Sequence, residues 1–288
     1  MARSLATPVV LALLACAPVA LAGPECSPLR TGIRLPDALD ESSGAAVSMV
    51  QPGVVWTHND DGSTLYAVDS TGALLGSARV RPRLRDWEDL AVARCGAHGT
   101  CLYLADTGDN AERRPGGHIR LLRAAEPRLP LSDGLAPEVF PLRLPDGPRD
   151  VEALFVLPGE RVHLVTKGRN HPVTVYRYPG ELRRDTVTLE EVQRLTGGPQ
   201  PLANQVTGAS AGPDGERVAI RTYQTMAFYR MTTADTLIPL PGGLVNLRSL
   251  RESQGEAVAL GPEGLVVLTS EAGPLVGSPA MNLLRCRP

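Results

Sequence analysis

The chain has 288 residues, 43% hydrophobic but only 4% aromatic, and its 29 basic and 31 acidic residues leave a formal charge of -2. That balance excludes the basic footprint of a nucleic-acid binder and any strong pull toward an anionic membrane. Lys167 is the single lysine, so the other 28 of the 29 cations are arginines, a bias of base composition rather than an arginine-reading surface.

Arg3 precedes an apolar run, Leu5 to Ala22, that ends Ala20-Leu21-Ala22, the small-x-small pattern of signal-peptidase cleavage. Residues 1–22 are read as a signal peptide and 23–288 as one domain; the run is too short and too close to that site for a membrane span. Leu13-Leu14-Ala15-Cys16 offers an alternative, because it resembles a lipobox that would leave Cys16 lipidated. Both readings place the mature chain outside the cytoplasm, periplasmic or extracellular. Beyond the leader lie Cys26, Cys95, Cys101 and Cys286, an even number in an oxidising compartment.

Five times an apolar strand opens with a small hydroxyl or an acid, turns, and is followed by a second apolar strand ending in a polar cluster. The first strands begin at Ser42, Trp87, Val151, Val206 and Gly255. Aligning Ser43, Glu88, Glu152, Thr207 or Gly208, and Glu256 gives intervals of 45, 64, 55 or 56, and 48 or 49 residues. No window shows sustained helical periodicity beyond weak candidates such as Leu189 to Leu195, and 29 Gly and 26 Pro supply turns. Strand-only repeats of this period predict an all-β fold, a five-bladed β-propeller of four-stranded blades. Six blades is the alternative, but the stretch between Asp109 and Pro148 offers only two strands.

Two further β-like segments follow the first four pairs, whereas the fifth is followed by only one, in Pro279 to Pro288. Its missing outer strand is available at Cys26 to Pro36, so the N-terminal strand is predicted to close the ring with Cys26 bridged to Cys286. Cys95 and Cys101 flank the hairpin turn of the second repeat and are predicted to bridge each other.

Antiparallel pairing puts the start of each first strand and the end of each second strand on the same face. Ser43, Glu88, Glu152, Thr207 and Glu256 then converge on the channel, with a collar of Asp60, Asp61, Asp106, Asp109, Asn110, Lys167, Arg221 and Glu271 round its mouth. Carboxylates forced together repel unless a cation sits among them, and hard oxygen ligands suit calcium rather than zinc. Ser43, Glu88, Glu152, Thr207 and Glu256 are therefore the expected Ca²⁺ ligands; the alternative is that these side chains cap the backbone of neighbouring blades.

One ligand per blade in the order Ser, Glu, Glu, hydroxyl, Glu resembles the calcium-activated apyrases, five-bladed propellers that hold an axial calcium and hydrolyse nucleoside di- and triphosphates. Asp60-Asp61-Gly62 resembles their Asp-Asp turn, while the fourth blade departs, with Thr207-Gly208 in place of a serine. Asp86-Trp87-Glu88-Asp89, Gly108-Asp109-Asn110 and Asp150-Val151-Glu152-Ala153 are similar to exported bacterial propellers of the SdiA-regulated type, which imply a fold without a settled activity. Gly208-Ala209-Ser210-Ala211-Gly212 fits a nucleophile-elbow pattern, but Pro213-Asp214-Gly215 turns into a strand, not the helix that motif needs.

The function expected is binding of a small polar or anionic ligand, or a cell-envelope partner, at a calcium-containing mouth by a monomer. One alternative is a calcium-dependent phosphohydrolase with Asp60, Asp106 or Asp109 as general base and Asp61, Asn110, Lys167, Arg221 and Glu271 holding substrate. The other is an interaction scaffold with a structural ion.

Overall fold

The structure, a computed structural model, describes residues 24–96, 99–132, 134–273 and 277–287; residues 1–22, with Cys16, lie outside them. Five antiparallel sheets stand round an axis. The first blade is Ser42–Val47, Val54–Asn59, Thr64–Asp69 and Leu74–Val80, and the second is Trp87–Cys95, Gly99–Asp106, His118–Ala125 and Glu138–Arg143. The third is Val151–Leu157, Arg161–Thr166, Thr174–Arg177 and Glu190–Arg194, and the fourth Val206–Ala211, Arg217–Thr222, Thr225–Met231 and Leu237–Asn246. Gln254–Leu260, Leu265–Glu271 and Ala280–Arg287 form the fifth, completed by Glu25–Arg34 from the other end of the chain. Cys26 lies directly opposite Cys286 in that pairing and is bonded to it. Five four-stranded blades closed by the N-terminal strand are thus what the sequence pattern predicts.

Among the described residues the only helical segments are short 3-10 turns such as Leu202–Asn204. The weak helical candidate at Leu189 to Leu195 is strand over Glu190–Arg194, because its outer edge position in the blade overrides local propensity. Cys95 and Cys101 are bonded, one diagonal apart: Cys101 faces Ala93 and Cys95 faces Gly99. Two short strands were not foreseen. Gly134–Leu135, from the second blade, adds in parallel to the edge of the first, and Val187–Thr188, from the third, adds to the edge of the second. Each covers an otherwise bare sheet edge and ties neighbouring blades together.

The core is divided among the blade interfaces. Five separate apolar clusters fill the five gaps: Trp56, Leu65 and Trp87 with Leu104 between the first and second blades, for example, and Phe155, Val175 and Ile220 between the third and fourth. Inner strands touch their neighbours all the way round, from the strand at Ser42 to that at Gln254. A ring built from neighbour contacts needs small residues at the centre, and Ala45, Ala153, Ala209 and Ala257 supply them, each 1% exposed or less.

Candidate functional site

All five blades carry the same irregularity at the same place. The ladder between first and second strands skips one residue between Ser42 and Gly44, Trp87 and Asp89, Val151 and Ala153, and Val206 and Gly208, and it slips between Gly255 and Val258. The residue left over is Ser43, Glu88, Glu152, Thr207 or, with Ala257, Glu256. A bulge re-aims its extra side chain out of the ladder, so five residues up to 213 positions apart in sequence are turned the same way at one end of the channel. All five are buried, none more than 5% exposed.

The bulge residues divide by chemistry. Ser43 Oγ donates to the Glu88 carbonyl at 3.0 Å and Thr207 Oγ1 to the Glu256 carbonyl at 2.9 Å, so both hydroxyls stitch one blade to the next. That is the backbone-capping role; their hydrogens are spent on protein, not on a ligand. Glu152 Oε1 accepts from Lys167 Nζ at 2.7 Å. Glu256 Oε1 accepts from Gln254 Nε2 at 2.8 Å, and the same amide reaches Glu271 Oε2 at 2.7 Å.

Two residues before each bulge stands a second ring, Glu41, Asp86, Asp150, Gln205 and Gln254. Glu88, Asp150 and Glu152 each offer a carboxylate oxygen, all within 4.8 Å of one another and all buried. Asp86 shares a hydrogen bond with Glu88. Asp150 Oδ1 accepts from the Asp109 N–H at 2.9 Å, but its Oδ2 is buried with no hydrogen-bond partner; Lys167 Nζ and the Arg169 guanidinium stand 3.9 and 3.6 Å from it. Gly108 makes room for the cluster, because a Cβ there would collide with Glu88 Oε1 and Asp86 Oδ2. Burial, then the charge of Glu152, holds the Glu88 carboxyl well above the carboxylate range. Burial likewise raises Glu152, against the pull of Lys167. Asp86 and Asp150 were absent from the ligands expected from sequence, although the repeated acid-x-Glu spacing in the second and third blades carried the signal.

Of the collar expected from sequence, the structure places some residues just past the ladder and others within it. Counting one residue past the partner of the residue that precedes each bulge (Asn59, Asp106, Thr166, Thr222 and Ser270) gives Asp60, Thr107, Lys167, Tyr223 and Glu271. Arg221 instead faces Gly208 inside the ladder and is fully buried. Its guanidinium donates to the carbonyls of Ala257 and Thr269 at 2.8 and 3.2 Å and is ion-paired with Glu252, so it locks the fourth blade to the fifth and does not ring the mouth. Tyr223 takes the place assigned to it; Glu256, Lys167, Glu152 and Glu271 all act on its hydroxyl.

Asp106 is fully buried, ion-paired with Arg114 and Arg120, and accepts from the Arg85 and Asp86 N–H groups. Asp109 Oδ2 accepts from the Arg114 N–H at 2.6 Å. Both carboxylates are thereby committed to loop structure. Asn110 is exposed and accepts from Arg169 through its side chain at 2.8 Å. Asp61 is exposed at the turn, and its N–H donates to Asp60 Oδ1 at 2.6 Å. Asp60 remains at the mouth, raised mainly by burial. Burial and then the Glu256 charge lift Glu271 to about 8, while burial lifts Glu256 to about 7.

A carboxylate not singled out from sequence stands below this ring. Asp89, fully buried, accepts from the N–H groups of Leu90 at 2.8 Å, of Leu154 at 2.8 Å and of Ala209 at 3.3 Å. It therefore joins the second blade to the third and fourth across the channel.

No family model matches the chain, and no curated protein matches it in sequence. Among solved structures it is similar to the PQQ-bound aldose sugar dehydrogenase of Streptomyces coelicolor: 13% identity, covering 92% of this chain and 99% of that one, with a TM-score of 0.55. A virginiamycin B lyase from Staphylococcus aureus is 10% identical over 91% and 99% of the two chains, with a TM-score of 0.45. The dehydrogenase likeness supports the propeller fold and, at that identity, extends no further.

Proposed function

We propose that the protein binds a divalent cation, calcium, with Glu88, Asp150 and Glu152 as its core ligands, and uses it to hold a small polar or anionic ligand at the mouth. One observation carries the reading: three buried carboxylates converge within 4.8 Å, and one of their oxygens lacks a hydrogen bond. Burial first, then neighbouring carboxylates, hold the Glu88 and Glu152 carboxyls well above the carboxylate range, and Lys167 and Arg169, the cations within 4.0 Å of Asp150 and Glu152, offset the crowding only in part; a divalent ion that displaced the protons would supply the rest. All the donors are hard oxygens, as calcium prefers. Of the other residues expected from sequence as ligands, Glu256 is not among the carboxylates that meet within 4.8 Å, and Ser43 and Thr207 donate to the carbonyls of the neighbouring blades, so none of the three is in the core set.

Calorimetry with the full chain tests this. Calcium is expected to bind with one-to-one stoichiometry, and Glu152→Gln to weaken it at least roughly tenfold; heats no different from buffer would overturn the reading.

Phosphohydrolysis, the activity that the apyrase resemblance implies, is the second reading. It is favoured by Glu256 and Glu271, whose carboxyls titrate near neutrality and are bridged by one amide beside Tyr223, as a general base requires. Asp60 is the one member of the expected catalytic trio left free to take part. Calcium-dependent phosphate release from nucleotides, lost in Glu271→Gln, would decide for hydrolysis over binding alone. The signal-peptide pattern of residues 1–22 and the two disulfides support export, with lipidation at Cys16 as the alternative; N-terminal sequencing of mature protein would choose between the two cleavage sites.

A further inference from the structure

The far ends of the first strands, with the described turns that follow them, lie at the opposite end of the channel from the acids and line a cavity of about 530 Å³. Each blade contributes to its wall: Val47, Val92, Val156, Ala211 and Leu260 in turn, with Leu29 from the closing strand. Asp89, bonded across three blades, stands between this cavity and the acidic mouth. The wall is overwhelmingly aliphatic and prolyl. Among the described residues its only side-chain hydroxyls belong to Ser48 and Ser70, and that of Ser48 is spent, donating to Glu126 Oε1 at 2.5 Å. Arg94 is the one charged side chain in the lining; it is exposed and forms no ion pair among the described residues.

We propose that this cavity binds an anionic amphiphile, an alkyl-chain carboxylate of fatty-acid type, with the chain against the aliphatic wall and the carboxylate on Arg94. Its size falls within the roughly 300–1,000 Å³ of small-molecule sites, and its make-up is theirs, apolar walls with a few orienting polar groups. Charge selects the head group. The described residues of the lining carry one fixed charge, positive, and no carboxylate, so an anion gains a bidentate partner there, whereas a cation is repelled. A sugar or nucleotide would bury hydroxyls and amides against aliphatic carbon with almost nothing to pair them, a cost that excludes it. The alkyl chain gains about 0.8 kcal/mol for each methylene it removes from water.

The test is calorimetric titration of the full chain with dodecanoate and, separately, dodecanol, both kept below micelle-forming concentrations. Dodecanoate is expected to bind one to one, more tightly than dodecanol, and equally well with and without a chelator, which separates this site from the acidic mouth. Arg94→Glu should weaken dodecanoate by at least roughly tenfold while leaving dodecanol unchanged, and Arg94→Lys should restore most of the loss. Ala211→Trp should fill the cavity and abolish both. Because Arg94 is exposed, its variants should melt with the parent; a misfolded Ala211→Trp leaves the Arg94 series to decide. Absence of dodecanoate binding, binding indifferent to Arg94→Glu, or dodecanol binding as tightly as dodecanoate would each overturn the proposal. So would concentration-dependent dimerisation of the unliganded chain that Arg94→Glu abolishes, since a second copy would then cover the face.

Discussion

The second and third blades meet the channel differently from the fourth and fifth. On the first side Asp86, Glu88, Asp150 and Glu152 crowd together with two cations near them and one oxygen orphaned. On the second, Gln205 and Gln254 replace the acids two residues before the bulge, Thr207 replaces the glutamate at it, and Arg221 and Glu252 neutralise each other. The bulge itself is common to both. Ser43 and Thr207 show that a hydroxyl at this position suffices to stitch the ring, so closing the fold does not require the carboxylates at Glu88 and Glu152. Buried acids kept where the fold does not need them point to a ligand, and the arginine on the other side to rigidity.

Breaking the rigid side should cost most. The Cys26–Cys286 bridge spans 260 residues, and by the chain-entropy model its closure constrains the unfolded chain by about 5 kcal/mol. The double serine variant should therefore melt more than 10 °C lower, on the basis of roughly 2–4 °C per kcal/mol for chains of this size. A change of only a few degrees would show that the blade pairing alone closes the ring. Arg221→Ala comes next: stranding Glu252 without its cation in a buried site should cost about 3–5 kcal/mol, read as a drop in urea midpoint. An unchanged midpoint would return Arg221 to the solvent-facing role that its sequence position suggested.

The acidic side should respond to ions instead. At 100 times the dissociation constant, calcium should add about 2.7 kcal/mol of stability, seen as a saturable rise in melting temperature that chelator reverses. Lys167→Met should sharpen this, since removing the built-in cation beside Glu152 lowers the stability of the calcium-free chain and tightens calcium several-fold. If Lys167→Met weakens calcium, the lysine belongs to the ligand set's support rather than competing with it. A thermal scan blind to both calcium and chelator would remove the contrast between the two sides.

Blade number, ring closure and both disulfides could be read from the sequence because each is a matter of period and parity: strand repeats near fifty residues, a missing fourth strand, an even count of cysteines. The bulges were legible only in part. Aligning Ser43, Glu88, Glu152, Thr207 and Glu256 found the five positions, but not that a skipped ladder residue is what turns them inward. Register is where the reading slipped. Arg221 and Asp106 end apolar strands just as Lys167 nearly does, yet a ladder shifted by one or two residues sends them into the sheet, and a strand's two-residue period makes such a slip decisive. Asp150 was missed as a ligand although Asp150-Val151-Glu152 repeats the spacing of Asp86-Trp87-Glu88, because an alignment by period weighs one residue per blade. The apolar cavity was hidden because its wall is assembled from residues of five blades and the closing strand, far apart in the chain.

Protons provide the finest test of the comparison. Glu256 and Glu271, on the rigid side, have carboxyls raised to about 7 and about 8 from 4.5, burial being the first cause for each. Between pH 4.5 and 8 the folded chain therefore holds protons that the unfolded chain has released, so stability falls as pH rises through that window and levels off above it. Glu271→Gln keeps the shape and still accepts from Gln254, while removing one of the two titrations. In chelator, the loss of melting temperature between pH 5 and 8.5 should shrink in this variant by a few degrees, corresponding to about 1–2 kcal/mol once screening at the half-buried site is allowed for. At pH 8.5 the variant should be the more stable chain, and at pH 5 the two should match. Parallel pH curves would show that solvent already relieves these carboxyls, and the rigid side would then owe nothing to bound protons.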